Sequence, residues 1–277
     1  IDVLNKRAYE MQKLKRVEIE VPEDKLPVIE EFNDALKEAV AETDEALMDR
    51  FFEGDEFTYR EMLDGLHKGV KELSLFPVLC GSGVTCLGSL MLMDHIIDLL
   101  PNPAEGNYHK ATNADGETEE FVVSPGGVPS AFVWKTVSDQ YGKYSYIKVL
   151  SGEITPDTVL VNARTGDTEK LGRLYTMCGK KATEVKVLGC GDIGAIGKMD
   201  KVKTGDTLCD PRKVVSLKQI PYAPACYSMA IAPKTKGQED KVGAGLNRLN
   251  EEDPSFHLVN NAETKQLVLS GLGDQQL

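Results

Sequence analysis

The sequence lacks the features that mark membrane, secreted and zinc-binding proteins. No apolar run approaches the roughly 18 residues that a membrane helix needs, and no basic start followed by an apolar stretch marks a secretory signal. The six cysteines form no CxxC pair, and the four histidines are scattered. These absences predict a cytoplasmic protein with reduced cysteines, no metal site and no membrane contact.

Catalytic motifs are absent as well. The chain has no GxxxxGK[ST] phosphate loop, no GxSxG elbow, no HExxH and no glycosidase-like pair of acids. No catalytic residue is therefore predicted. An enzyme whose partners lie far apart in sequence remains an alternative, and it would need a reactive thiol at Cys80 or Cys86.

Composition is that of a folded protein, but charge is distributed unevenly. Hydrophobic residues make up 41% of the chain and charged residues 27%, which excludes a disordered chain. Residues 1–120 carry 12 Lys and Arg against 27 Asp and Glu, residues 121–217 carry 14 against 10, and residues 218–277 carry 6 against 7. Only the middle third is basic, so it could contact phosphates, although ordinary surface would give the same balance.

The first hundred residues have helical periodicity. Apolar residues at steps of three, four or seven predict one long amphipathic helix over residues 26–51, which stops at Gly54. Thr58 and Glu61 then have the spacing of a capping box at the start of a second helix.

The next segment predicts the repeating unit of an open parallel sheet. Residues 73–80 form an apolar run typical of a buried strand, residues 81–83 are a Gly-Ser-Gly turn, and residues 87–100 predict a helix that ends before Pro101. Residues 101–128 are polar and glycine-proline rich, which predicts a linker.

The remaining sequence changes from helical to strand patterning. Between residues 129 and 217, short alternating segments separated by glycine turns every eight to twelve positions predict a small β-barrel. Beyond residue 222, a strand over 226–231, a helix over 238–251 and strands over 256–260 and 265–269 predict half of a ferredoxin-like fold.

Six short motifs then resemble one family in matching order. They are residues 77–82 (PVLCGS), 99–103 (LLPNP), 146–152 (YIKVLSG), 204–211 (TGDTLCDP), 232–236 (APKTK) and 251–256 (EEDPSF). Together they resemble elongation factor G, the translocation GTPase of bacterial ribosomes.

The resemblance implies a multidomain fold. Residues 1–120 would be the C-terminal part of a P-loop GTPase α/β domain with an acidic helical insert and linker, residues 121–217 the translation-factor β-barrel, and residues 218–277 a partial ferredoxin-like α+β domain. The chain would then be an internal fragment, because the phosphate loop and the magnesium and guanine motifs of the family would lie upstream of Ile1. GTP and Mg²⁺ are expected in the full-length parent, and this fragment is expected to bind neither and to be inactive.

The resemblance also implies the site residues and partners. Ser82, Gly83 and Val84 stand where the family contacts guanine, and the barrel would rest on small-subunit ribosomal RNA, with Lys170 and Arg173 as contact candidates. The acidic side chains of the first helix would meet basic ribosomal stalk proteins, although a merely soluble face is an alternative; they are Glu30, Glu31, Asp34, Glu38, Glu42, Asp44, Glu45 and Asp49. The parent would couple GTP hydrolysis to tRNA and mRNA translocation.

One departure keeps other functions open. The family normally reads Gly-Glu-Leu-His-Leu where this chain has GDQQL at residues 273–277. A divergent paralogue, a relative of the ribosome-protection tetracycline-resistance proteins, and a GTPase-independent ribosome- or RNA-binding module are therefore alternatives.

Overall fold

The computed structural model describes residues 1–13, 15–105, 108–113, 115–139, 142–235 and 237–277. The chain divides into two compact units, Ile1–Asn102 and Pro103–Leu277. No helix among the described residues is long and apolar enough to cross a bilayer.

The first unit consists of a hairpin and four helices. Its elements are strands β1 (Ala8–Gln12) and β2 (Lys15–Ile19), a 3-10 turn (Glu23–Lys25), and helices α1 (Leu26–Ala41), α2 (Glu45–Glu53), α3 (Tyr59–Lys71) and α4 (Ser89–Leu99). Apolar side chains from α1, α3 and α4 meet in a small core of Val40, Met62, Leu63, Leu66 and Leu99. The three helices pack together because each presents one apolar stripe to that core.

The single helix predicted over residues 26–51 is wrong, since the chain forms two helices there. Asp44 has an extended backbone and its side chain accepts a hydrogen bond from the N–H of Ala46 at 3.1 Å, which makes it the N-cap of α2. The predicted stop at Gly54 is confirmed, because this residue takes the left-handed conformation, at φ +84°. The capping box of Thr58 and Glu61 is also confirmed at the start of α3.

The buried strand predicted over residues 73–80 is wrong as well. The segment is irregular, and Leu73, Phe76 and Val78 are 72%, 75% and 90% exposed. A strand needs a pairing partner, and among the described residues of this unit the only sheet is the β1–β2 hairpin. The helix predicted over residues 87–100 is confirmed as α4.

The segment predicted as a linker, residues 101–128, contains two strands. Strands β3 (Tyr108–Asn113) and β4 (Thr118–Val122) pair with each other, and β3 also pairs with β13 (Val215–Leu217). Ala111, Phe121 and Val215 from these strands share a core with Leu150 and Cys209.

The predicted barrel region forms one eight-stranded antiparallel sheet. Its strands are β5 (Ser130–Asp139), β6 (Gly142–Ser151), β7 (Val159–Asn162), β8 (Thr168–Lys170), β9 (Leu174–Cys178), β10 (Lys181–Val185), β11 (Ile193–Gly197) and β12 (Thr207–Cys209). They are ordered β10-β9-β11-β6-β5-β12-β7-β8. Alternate side chains from β5, β6, β7, β9, β11 and β12, together with residues from the connections between strands, form one core of 13 buried residues. The sheet therefore curves around a single interior, and it is called the barrel below.

The last segment is a three-stranded sheet with one helix. Its elements are β14 (Tyr227–Ile231), α5 (Glu239–Glu252), β15 (His257–Asn261) and β16 (Gln266–Gly271), as the sequence pattern predicts. Because β16 lies between β14 and β15 and is antiparallel to both, β14, α5 and β15 make a split β-α-β unit. Whether a complete ferredoxin-like fold is formed stays a prediction.

Candidate functional site

The loop between residues 80 and 88 is closed by its own backbone. The N–H of Ser82 donates to the carbonyl of Leu87 at 2.9 Å, and the N–H of Thr85 donates to Ser82 Oγ at 3.3 Å. Gly88 has φ +77°, and a Cβ there would lie 2.6 Å from the carbonyl oxygen of Cys80. Gly88 therefore holds the two ends of the loop together, a role that its sequence position alone does not indicate.

The three predicted guanine contacts lie at the tip of this loop. Val84 is 96% exposed, and a Cβ built on Gly83 would meet no atom within 4 Å. The N–H of Ser82 is already used within the loop, so outward-facing donors for a base carbonyl would come from Gly83 and Val84. Such a loop can contact one edge of a flat base, but no other described residues surround that position to form a pocket for the base.

The rest of a nucleotide site does not fit the residues present. The sequence has no phosphate loop, and among the described residues no group of three or more His, Cys, Asp or Glu could hold a metal ion. The described residues therefore do not supply the phosphate and metal ligands that GTP hydrolysis needs.

Lys170 and Arg173, the predicted RNA contacts, both face acidic partners. Lys170 Nζ lies 2.9 Å from Asp157 Oδ1, and Arg173 Nη1 lies 3.5 Å from Glu184 Oε2. Both basic side chains are more than two-thirds exposed, so these pairs contribute little stability and can open. Their contact with RNA stays a prediction.

The acidic residues predicted to meet stalk proteins are distributed over α1, α2 and the turn between them. All eight are exposed. Within the described part of the chain, Asp44 accepts from Lys68 at 3.3 Å and Asp34 lies 3.6 Å from Lys37. The surface of α1 and α2 is therefore strongly acidic.

Two cysteines, the buried Cys209 and the partly buried Cys190, have a structural role. Burial raises the pKa of the Cys209 thiol and of the Cys190 thiol, and each donates to a backbone carbonyl, of Val215 and Leu150 respectively. A raised pKa keeps a thiol protonated at neutral pH, which does not suit a nucleophile.

Two features of the family-like motifs escaped sequence reasoning. Asp206, in the TGDTLCDP motif, is buried with its carboxylate hydrogen-bonded to Arg164. Gln276, in the divergent GDQQL segment, accepts from the N–H of Leu272 at 2.7 Å and donates to Asp253 at 2.9 Å and to Ser255 at 2.6 Å. An aspartate directly after a turn glycine, inside an otherwise apolar motif, was the available sequence signal for Asp206. Nothing in the sequence pairs residue 276 with the EEDPSF motif. Lys236 of the APKTK motif lies outside the described residues.

Two segments of the chain match known protein families. Residues 129–211 match the family model for elongation factor G domain 2, and residues 222–277 match that for elongation factor G domain III. A crystal structure of a protein from Thermus thermophilus aligns over 99% of this chain with a TM-score of 0.81 and 28% sequence identity. This chain covers 39% of that protein. The two domain matches lie in family order, on the barrel and on the split β-α-β segment, and the chain therefore belongs to the elongation factor G family.

Proposed function

We propose that this chain is a ribosome-binding part of a cytoplasmic translation factor, in which the whole protein couples GTP hydrolysis to tRNA and mRNA translocation. The observation that carries the proposal is the succession of domain 2 and domain III matches over residues 129–211 and 222–277. Because the chain covers 39% of the Thermus protein it resembles, the activity of the whole protein is part of the proposal.

The barrel is proposed as the part that contacts small-subunit ribosomal RNA. Residues 121–217 are the only third of the chain with an excess of Lys and Arg, 14 against 10 Asp and Glu. Contacts between such side chains and phosphates give an affinity that falls with salt and reads little sequence. The acidic surface of α1 and α2 suits a basic protein of the ribosomal stalk.

Nucleotide chemistry is proposed for the whole protein rather than for this chain. Ser82, Gly83 and Val84 would contact one edge of guanine, while the phosphates and Mg²⁺ need ligands that the described residues do not supply. Isothermal titration of the chain with GTP and Mg²⁺ is expected to give no measurable binding. Micromolar affinity would contradict this part of the proposal.

Sedimentation with ribosomes tests the main claim. The chain is expected to pellet with isolated small subunits at low salt and to be released as salt rises. The double variant Lys170→Gln and Arg173→Gln tests those two contacts and should be released at lower salt than the unmodified chain. Lys241→Gln with Arg248→Gln, two exposed residues of α5, removes the same charge and is the control. Failure of the unmodified chain to pellet at any salt concentration would contradict ribosome binding.

A further inference from the structure

The outer face of the barrel carries four aromatic residues that the proposed function has not yet used. Along β6, Ser145 and Ile147 are buried, so the alternate residues Tyr144 and Tyr146 point away from the core. One residue from β5 and one from β9, which lies two strands from β6, join them on this outer face. The set, called here the aromatic stripe, consists of Trp134, Tyr144, Tyr146 and Tyr175.

The stripe is two edge-to-face pairs arranged across four strands. Trp134 and Tyr146 have ring centroids 5.6 Å apart at 70°, and Tyr144 and Tyr175 have centroids 5.8 Å apart at 79°. These are favourable geometries for aromatic pairs, so each ring restrains its neighbour.

Small residues on β11, between β6 and β9, leave room for the rings. Ala195 stands opposite both Tyr146 and Tyr175, and Gly197 stands opposite Tyr144. A Cβ on Gly197 would already lie 3.7 Å from Tyr175 and 3.8 Å from Tyr144, so these two rings reach across the strand over the glycine. The pairing register of the strands therefore determines which rings meet, and all four rings lie on strands rather than on loops.

A β-bulge sets the position of the tryptophan. The pairing of β5 with β6 shifts register between Val133 and Lys135, which leaves Trp134 as the extra residue. Bulges redirect a side chain relative to the regular pleat. Trp134 remains 37% exposed and is the only tryptophan in the chain.

Two lysines flank the stripe. Lys135 stands opposite Tyr146, and Lys148 stands opposite Phe132 and Ile193. Within the described part of the chain no ion pair involves either lysine, in contrast to Lys170 and Arg173. Among the acids near the stripe, Glu184 stands opposite Tyr175 and pairs with Arg173. Glu251 and Glu252 of α5 reach the end of the β5–β6 hairpin, where their partners are Lys143 and the N–H of Ser138.

We propose that this face binds unpaired RNA nucleotides, whose bases stack on Trp134 and Tyr146 while Lys135 and Lys148 contact their phosphates. Aromatic rings beside uncompensated cations are what surfaces that bind single strands use, because every base has a π-face and every linkage a negative charge. A purely apolar protein partner would not require the two free lysines. The inference rests on the proposed function in one respect, that the RNA is ribosomal. It goes beyond that proposal because it names other residues and requires unpaired bases.

The test uses the 277-residue chain and a labelled 12-nucleotide unstructured RNA, with a 12-base-pair RNA duplex as the comparison. Binding should quench the fluorescence of Trp134, and anisotropy should show tighter binding to the single strand than to the duplex. Trp134→Ala and Tyr146→Ala should each weaken binding about 5- to 100-fold, the loss of about one stacked base. Trp134→Phe should retain most of the affinity, and Tyr222→Ala, which removes an exposed ring from the third segment, should leave it unchanged.

The charge contribution has its own measurement. The double variant Lys135→Gln and Lys148→Gln should reduce the slope of log affinity against log salt by about 1.4, at about 0.7 per phosphate on a single strand. Circular dichroism verifies that each variant is folded.

The proposal is overturned if the single strand does not bind, or if it binds with no loss in the Trp134→Ala and Tyr146→Ala variants. It is equally overturned if Trp134→Ala weakens ribosome sedimentation while RNA affinity stays the same, since the stripe would then contact a protein. Sedimentation of the unmodified chain with small subunits is measured separately. If the chain pellets but does not bind the single strand, this inference fails and the proposed function stands; if the chain does not pellet, the proposed function fails.

Discussion

Arg164 holds the buried carboxylate of Asp206 with two guanidinium nitrogens, Nε at 2.6 Å from Oδ1 and Nη2 at 2.9 Å from Oδ2. Asp206 is 1% exposed and also accepts from Asn162 Nδ2 at 2.8 Å and from the N–H of Lys203 at 2.9 Å. The carboxylate is thus fully hydrogen-bonded, and it joins the end of β7 to the turn that precedes β12. This explains physically why an acid can occupy a core position of the TGDTLCDP motif.

Asp206→Asn should destabilise the barrel by about 2 to 4 kcal/mol, because Arg164 loses its charged partner and the amide cannot accept all four hydrogen bonds. Urea unfolding, followed by the fluorescence of Trp134 in the same sheet, measures the change. Asp167→Asn is the matched control, since Asp167 forms an exposed pair with Lys201 at 3.4 Å and no hydrogen bond to Arg164 is seen among the described residues, so its loss should cost less than about 0.5 kcal/mol. Equal effects of the two variants would contradict the role given to Asp206.

The free energy of unfolding of the barrel should fall in acid, because the pKa of Asp206 is lowered in the folded protein. Burial raises the pKa of Asp206, but the hydrogen bonds from Arg164, Lys203 and Asn162 outweigh it, so the pKa is below its ordinary 3.8. A group with a depressed folded pKa stabilises fully above its unfolded pKa and loses that contribution as pH falls through the folded value. Barrel stability should therefore decrease below about pH 4, and the Asp206→Asn variant should show a smaller decrease over that range.

Glu61 should titrate near pH 2. The hydrogen bond from Arg50, at 2.5 Å, is the main cause, and those from Thr58 add to it; together they lower the pKa of Glu61 from 4.5 to about 2. Carboxyl carbon NMR shifts measure this pKa directly. Arg50→Met should raise it most of the way towards its ordinary value, and an unchanged midpoint would show that the pair does not form.

Removal of the helix cap at Thr58 should destabilise the first unit by about 1 kcal/mol. Thr58 Oγ1 accepts from the N–H of Glu61 at 3.3 Å, and the Glu61 carboxylate accepts from the N–H of Thr58 at 2.8 Å. Thr58→Ala removes the first of these, whereas Thr58→Ser keeps an oxygen in place and should be nearly neutral. Urea unfolding, followed by far-ultraviolet circular dichroism, separates the two variants.

The end of α5 is attached to the β5–β6 hairpin by two glutamates. Glu252 Oε1 accepts from the N–H of Ser138 at 2.6 Å, and Glu251 Oε2 lies 3.1 Å from Lys143 Nζ. Replacing both with Gln should weaken this attachment by about 1 to 3 kcal/mol and increase cleavage by trypsin at Lys218, between the barrel and β14. Glu239→Gln with Asp240→Asn, in the first turn of α5, is the control for lost charge. No change in cleavage would show that the glutamates do not hold the two parts together.

Local signals in the sequence predicted local structure well. The capping box at Thr58, the stop at Gly54 and the β15–β16 hairpin depend on residues within a few positions of each other, so their patterns suffice. The apolar periodicity continued across the break at Asp44, and periodicity alone could not show that this side chain caps a new helix. Strands β3 and β4 were missed although they form a local hairpin, because the polar, glycine- and proline-rich composition of residues 101–128 indicates a linker. The third strand that completes their sheet, β13, lies about a hundred residues later in the chain.

The candidate site shows the same limit. Ser82, Gly83 and Val84 were found from a motif, and the structure places them together on one exposed loop. The aromatic stripe could not be found in this way, because it depends on pairing register across four strands and on a bulge at Trp134. Alternation along β6 indicated that Tyr144 and Tyr146 share a face, but not which rings would meet them.

The separation of the apolar cores sets the order in which the chain melts. Thirteen buried residues form the barrel interior, five form the core of the helical unit, and in residues 222–277 the described apolar residues that are buried are Phe256 and Leu269. Because apolar burial is the main source of cohesion, warming should loosen the C-terminal sheet first and the barrel last. The barrel should then remain folded while its neighbours exchange between ordered and disordered forms.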